Sequence, residues 1–516
     1  MTQKSTLTAR ALLVIPLAVV ALFVLFPLAT ILSQFARFDA LWDAITLPAM
    51  QRVWWFSLWQ AIVSTFLTLL VGLPPTWLLA RFTFRGARLL AGILTVPFLM
   101  PAVVVATGIR SVLPDGGVPA IVWAHVAFNV AVVVRVVGPR WALLDQGQID
   151  TAADLGARPT RILTAVVWPH IKPAIVNASA LVFVFCFTSF AIVSILGGVS
   201  RRTIEGEIFI QAIRLGDTST ATALALLQAV IVIAVVVLAS RYQNTNVMTL
   251  VSTSAAPVRH RVAFLPCVAV PVAVVITPLV FVIVRSITVN NGLTLDGFRW
   301  LFDGTTDVAG VKIASVLRTS AIFAISSALI ATVLALIVST SMVTENASRA
   351  SVPWWPRFVS FLSTAPMVIS SVTLGLGLII AFDQWPVDWR SQPWLIPVTH
   401  AVIALPLATY VLIPATRAIP SELRMAAASL GSGPLRTWVR VDLPLLMPAI
   451  RRASGLCAAV SLGEFGATSF LSRSGSMTIP LAIGQLVNRP GDVLPQSAFA
   501  LATITIVMCA VLLSSR

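Results

Sequence analysis

Charge is scarce in this sequence. Lys, Arg, Asp and Glu together make up 10% of its 516 residues, and the only lysines are Lys4, Lys172 and Lys312. With 58% hydrophobic residues and a mean hydropathy of +0.94, the chain has too little polar surface for a soluble globular protein, so most of it must lie in lipid. Cysteine is equally sparse. Cys186, Cys267, Cys457 and Cys509 each fall inside an apolar run, at no metal-ligand spacing. That excludes a disulfide framework and leaves them as small core residues. The four histidines, His125, His170, His260 and His400, read as scattered helix-end and loop-edge residues. A membrane-embedded enzyme would need His, Asp or Glu clustered at one depth, and no such cluster is present. No Gly-x-x-x-x-Gly-Lys-Ser/Thr phosphate loop occurs, which excludes ATP hydrolysis by this chain.

The net charge of +16 would suggest nucleic acid in a soluble protein. Here the charges lie in short loops, so they report topology, and no nucleic-acid partner follows. Twelve apolar runs are long enough to span a bilayer, at roughly 11–35, 55–79, 88–112, 117–138, 173–197, 219–240, 261–285, 313–340, 357–382, 391–413, 448–471 and 492–514. The first follows Lys4 and Arg10 but is too long for a signal-peptide core and lacks a small-residue cleavage site, so it reads as a helix. With the N-terminus in the cytoplasm, twelve spans return the C-terminus there. The cytoplasmic segments then hold about 22 of the 35 Lys and Arg residues. Asp296, Asp303, Asp307, Asp383 and Asp388 all fall outside. The polar, Ser/Thr-rich stretch 241–260 reads as a cytoplasmic linker between a first half, 1–240, and a second half, 261–516. The longest outer loop, about 286–312, is too short for a folded binding domain.

One stretch occurs twice. Residues 150–175, DTAADLGARPTRILTAVVWPHIKPAI, align without a gap to residues 425–450, MAAASLGSGPLRTWVRVDLPLLMPAI, at an offset of 275 (431 − 156). Each copy predicts a short helix with a small-residue face, a C-terminal glycine (Gly156, Gly431), and a proline in the first turn of the next helix (Pro159, Pro434). A further proline (Pro169, Pro444) is expected to end that second helix. The elements, 150–170 and 425–445, both fall in cytoplasmic loops. His125 and His400, and Pro139 and Pro414, repeat at the same offset, and Pro97 and Pro366 at 269 (366 − 97). Both copies run in the same direction, which predicts two parallel six-helix halves around a central path.

The repeated element resembles the EAA signature of binding-protein-dependent ABC importer permeases: acid-Ala-Ala, three residues, Gly, nine residues, then apolar-x-Leu-Pro. The first copy has Asp150, Thr151, Ala152, Gly156, Val166, Trp168 and Pro169, and the second has Met425, Ala426, Ala427, Gly431, Val441, Leu443 and Pro444. It departs at the acid, which is Asp150 in one copy and Met425 in the other with Glu422 nearby, and at Trp168 in place of Leu. The resemblance implies an all-α integral membrane protein of the type I importer permease fold, as in methionine importers, with about twelve transmembrane helices in a bacterial cytoplasmic membrane. It implies a non-catalytic subunit, two copies of a separate ATPase carrying ATP and magnesium, and an extracytoplasmic substrate-binding protein. It assigns Asp150, Ala152, Ala153, Gly156, Arg158, Glu422, Ala426, Ala427 and Gly431 to ATPase coupling.

Glu464, in SLGEFGATSF, is the only acid that reads as lying well inside a span, and such residues are usually functional. Its repeat counterpart is Ser189, and Phe465 matches Phe190. The helices that carry these four residues line the translocation path in the family. CFTSFAIVSILGG, followed by Thr203, Glu205 and Gln211, is similar to the first half of fused thiamine permeases, and SLGEFG to both thiamine and ferric-iron permeases. Both cargoes are cationic, which suits a carboxylate in the path. The competing reading is an ion- or proton-coupled secondary transporter, which would place paired charges or broken helices at the midplane.

Overall fold

The computed structural model describes residues 13–33, 38–198, 201–242, 256–257, 265–289, 292–303, 307–308, 311–343, 369–384, 387–389, 392–473 and 475–514. Among these the chain is helical apart from four two-residue strand pairs. The first half contains α1 (Leu13–Ser33), α2 (Phe38–Thr46), α3 (Pro48–Arg81), α4 (Ala87–Leu99), α5 (Ala102–Val112), α6 (Val118–Ala142), α7 (Gln146–Asp154), α8 (Pro159–Phe187), α9 (Ala191–Leu196), α10 (Ile204–Phe209) and α11 (Thr218–Ser240). The second contains α12 (Leu265–Ser286), α13 (Asp296–Phe302), α14 (Ile313–Val343), α15 (Ser371–Phe382), α16 (Leu395–Arg417), α17 (Ser421–Ser429), α18 (Pro434–Gly463), α19 (Gly466–Leu471), α20 (Ile479–Leu486) and α21 (Val493–Ser514).

Ten of the described helices are long and apolar enough to cross a membrane, and α4 with α5 forms a further crossing bent by 99°. The bend falls at Met100–Pro101, where the proline disfavours a helical conformation for Met100 and both residues are extended, with ψ of 152° and 133°. The remaining predicted span, 357–382, is represented by α15, and its first part, 357–368, lies outside the described residues. So does most of the 241–260 linker, of which Ala256–Pro257 pairs in parallel with Phe82–Thr83.

Each half is built on a three-helix core, α3, α6 and α8 in the first and α14, α16 and α18 in the second. Buried hydroxyls on α3 turn back onto their own helix: Ser57, Thr65, Thr68 and Thr76 each donate to the carbonyl four residues earlier. That satisfies them where no water is available.

Two predicted boundaries are corrected. The runs 173–197 and 448–471 are not single spans. The helices begin earlier, at Pro159 and Pro434, and break at Thr188–Phe190 and Glu464–Phe465. Nor do Pro169 and Pro444 end a helix. A π turn precedes each, Leu163–Val167 and Trp438–Asp442, closed by Trp168 N–H to Leu163 C=O and Leu443 N–H to Trp438 C=O. A proline ring collides with the carbonyl four residues back, and the wider turn relieves that collision while the helix continues.

The first helix of each half packs on the other half: α1 against α15, and α12 against α4, α5 and α6. The contact is made at matched glycines. A Cβ on Gly108 of α5 would lie 2.1 Å from the carbonyl oxygen of Pro278 on α12. One on Gly377 of α15 would lie 3.0 Å from Cβ of Pro27 on α1. Phe23 of α1 adds ring contacts to Phe382, Trp389 and Trp394 of the second half, at centroid distances of 6.0, 6.5 and 6.2 Å.

Candidate functional site: two exposed helices and a central break

The repeated element folds as its composition predicts up to the π turn. α7 and α17 occupy equivalent positions, 275 residues apart (421 − 146), and bury no side chain. Gly156 and Gly431 share φ of +78°. The hydrogen bonds are those of a Schellman cap: Gly156 N–H to Ala153 C=O with Ala157 N–H to Ala152 C=O, and Gly431 N–H to Ala428 C=O with Ser432 N–H to Ala427 C=O. Asp150, Ala153, Glu422 and Ala426 are exposed, and Ala152, Arg158 and Ala427 lie beside them at the same end. Leu155 and Leu430, one residue before each glycine, are 83% and 87% exposed. The caps thus hold one large apolar side chain exposed in each copy.

The two elements are fastened differently. Arg81, at the end of α3, donates to Leu144 C=O at 2.7 Å and to the Gln146 side chain, which in turn donates to Asp150 at 2.7 Å. In the second copy Arg424 pairs with Asp442 at 2.8 Å, tying α17 to the π turn of α18. Asp150 is therefore engaged within this chain.

The second feature is the pair of helix breaks. The structure brings Phe190 and Phe465 together at a centroid distance of 5.3 Å, one ring from each half. Phe209 joins Phe190 at 5.4 Å and Phe470 at 5.4 Å. The cluster is not symmetric. The position equivalent to Phe209 is Gly484 (209 + 275), over which the edge of the Phe465 ring lies. Ser189 is buried at the first break and accepts from the Thr203 hydroxyl through its carbonyl at 3.4 Å.

Glu464 occupies the second break. Its Oε1 accepts the Ala467 N–H at 2.9 Å, and the Gly466 N–H and Ser371 hydroxyl also face the carboxylate. It is not the only acid in the interior. Glu205 is 0% exposed and Glu207 is also buried. Glu205 accepts from the Gln228 amide and lies beside Ser370, with Glu464 the charged group near it. Glu207 pairs with Arg202 at 3.6 Å and accepts from Gln211 at 2.8 Å. The segment RRTIEGEIF reads as a polar loop because four charges fall in seven residues, yet the chain folds it inward as α10. Arg135, the arginine within α6, is exposed.

The histidines are also corrected: His125 and His400 are buried within α6 and α16, each 1% exposed. Nδ1 of His125 faces the Ser64 hydroxyl at 3.1 Å. His400 is held at both nitrogens, by Ser461 and Thr468 at 2.8 Å each. His170 lies within α8, and His260 lies outside the described residues. The four cysteines are unpaired.

The chain thus holds two repeats of membrane-capable helices, each with an exposed capped helix and a helix broken at the junction. The chain belongs to the family described as binding-protein-dependent transport system inner membrane component, which matches residues 44–245 and again 346–515. Similar proteins include the thiamine transport system permease protein ThiP of Brucella abortus (strain 2308), 25% identical over 491 residues, covering 90% of this chain and 86% of that protein. ThiP of Salmonella typhimurium (strain LT2) is 25% identical over 512 residues, covering 92% and 91%. A probable ABC transporter permease protein, y4fN of Sinorhizobium fredii, is 23% identical over 518 residues, covering 92% and 89%. The chain is thus a multi-pass inner-membrane protein of two fused permease repeats.

Proposed function

We propose that this chain is the membrane-spanning subunit of an ATP-driven importer for a small organic cation, with thiamine as the first candidate cargo. The observation that carries the reading is the junction of the two breaks, where Phe190 and Phe465 meet beside the Glu464 carboxylate. Apolar rings from both halves close a path, and a carboxylate at the same level favours a positive cargo over a neutral or anionic one. The thiamine transport system permease proteins among its relatives support thiamine over ferric iron.

In this reading α7 and α17 face the cytoplasm, and each seats in one of two copies of an ATPase that carries ATP and magnesium. Leu155 and Leu430 are the apolar anchors, and Arg158 and Glu422 belong to the polar rim. The opposite end receives cargo from a separate binding protein. Both termini are cytoplasmic, and lipid surrounds the outer helices.

Proteoliposomes carrying the chain with an ATPase and a binding protein from the same genome test this. Saturable uptake of radiolabelled thiamine that requires ATP and both partners is expected. Uptake by this chain alone, driven by an ion gradient, would overturn it in favour of a secondary transporter. ATP-driven uptake of ferric iron without thiamine would reassign the cargo.

A further inference from the structure

We infer that the cargo's charge is held on one side of the path only, at a two-carboxylate site made by Glu205 and Glu464 with Gln228, Ser370 and Ser371. This rests on the reading of the chain as a cation importer and names the binding groups.

The site draws on both halves. Glu205 lies on α10 and Gln228 on α11, both of the first half. Glu464 lies at the break after α18, and Ser370 and Ser371 begin α15, all of the second. The two serines stand one beside each carboxylate. Glu205 Oε2 and Gln228 Oε1 are buried with no hydrogen-bond partner. Among the described residues no Lys or Arg forms a salt bridge with Glu205 or Glu464. Buried acceptors with no donor and two carboxylates with no counter-ion are costly unless a proton or a cation arrives. The free oxygens are what a positively charged ligand would fill.

The aromatic cluster adjoins these groups through the chain itself. Phe465 follows Glu464, and Phe209 lies one turn after Glu205 on α10. Carboxylates backed by aromatic faces suit an organic cation with a delocalised or quaternary charge better than a hydrated metal ion.

Nothing equivalent exists at the pseudo-symmetric positions. Glu205 and Gln228 correspond to Pro480 and Thr503, Glu464 to Ser189, and Ser370 and Ser371 to Pro101 and Ala102. Pro101 packs against Gly463, where a Cβ would lie 3.1 Å from its Cα. The polar groups are therefore on one side of a path that the fold builds twice.

The test is thiamine uptake by the assembled complex in proteoliposomes, with melting temperature measured on each purified variant. Glu205→Gln and Glu464→Gln should each raise KM at least tenfold, while Thr503→Val on the opposite side leaves it within twofold. A Glu205→Gln complex with unchanged KM overturns the site, as does loss of uptake that merely follows a matching loss of thermal stability. If Glu205→Gln does not fold, Glu205→Asp decides: it keeps the charge but withdraws it by one methylene. A threefold rise in KM with Vmax held supports the site, and an unchanged KM overturns it. Should the wild-type complex take up no thiamine, the cargo assignment fails instead, and the same variants are scored with choline and tetraethylammonium. Uptake of neither overturns both.

Discussion

Gly156 and Gly431 isolate one variable, the sign of φ. At φ of +78° a Cβ on either glycine would meet nothing within 4 Å, so a substitution there is strained by its backbone and not by crowding. For an L-residue that conformation costs about 1–2 kcal/mol, more for β-branched chains and less for Asn. Gly156→Val and Gly431→Val should therefore lose co-purification of the ATPase while the chain still inserts. Gly156→Asn should retain it and Gly156→Ala fall between. Equal ATPase recovery across the series would sever the caps from docking. These glycines were legible from sequence because a helix, a glycine and a proline stood at fixed spacing in two copies. Glu464 was legible because a lone acid stands out in an apolar run. Glu205 was hidden by its surroundings: beside Arg201, Arg202 and Glu207 it looks like part of a solvated loop, and only the packing of α10 against α11 shows it to be inside.

At the scale of elements, apolar periodicity could not mark where membrane helices break. Thr188–Phe190 and Glu464–Phe465 lie within runs hydrophobic enough to continue, and the proline rule misplaced the ends at Pro169 and Pro444, where π turns carry the helix through. The same limit hid the exchange of first helices. Pro27 and Pro278 are 251 residues apart (278 − 27) and Gly108 and Gly377 are 269 apart, so the repeat loses its 275-residue register towards the start of each half. The exchange has a measurable consequence. Gly108→Ala would force a methyl group to within 2.1 Å of the Pro278 carbonyl, so backbone must move. Gly377→Ala meets the Pro27 ring at 3.0 Å, and the Ile31 side chain and the Pro27 carbonyl at 3.1 Å, where shifts of a few tenths of an ångström suffice. Overpacking of this kind costs about 1–3 kcal/mol. Gly108→Ala should lower the melting temperature of the detergent-purified chain by more than Gly377→Ala, and Gly92→Ala, which faces open space, should leave it unchanged. The reverse order would show that α12 does not press on α5 in the membrane.

At the scale of the whole molecule, orientation follows from charge and parity together. In the twelve-span reading of the sequence an even number of crossings separates α7 from α17, so that reading predicts both at one end and the hairpin carrying Leu293 at the other. The bias of about 22 against 13 basic residues predicts the α7 and α17 end to be the inner one. Each basic residue misplaced outside would weaken that preference, and the two copies of the repeated element contribute Arg158, Arg161, Arg436 and Arg440 to it. Cysteines introduced at Leu155, Leu430 and Leu293 sit at positions 83%, 87% and 84% exposed, so reactivity reports side and not burial. Three native cysteines are buried and give little background, and Cys267 is replaced first. A membrane-impermeant maleimide should label Leu293→Cys on intact spheroplasts, and label Leu155→Cys and Leu430→Cys only after permeabilisation. Labelling of all three from one side would break the twelve-crossing topology. A complete inversion would leave the topology standing and put α7 and α17 out of reach of any ATPase, so it would overturn the importer reading.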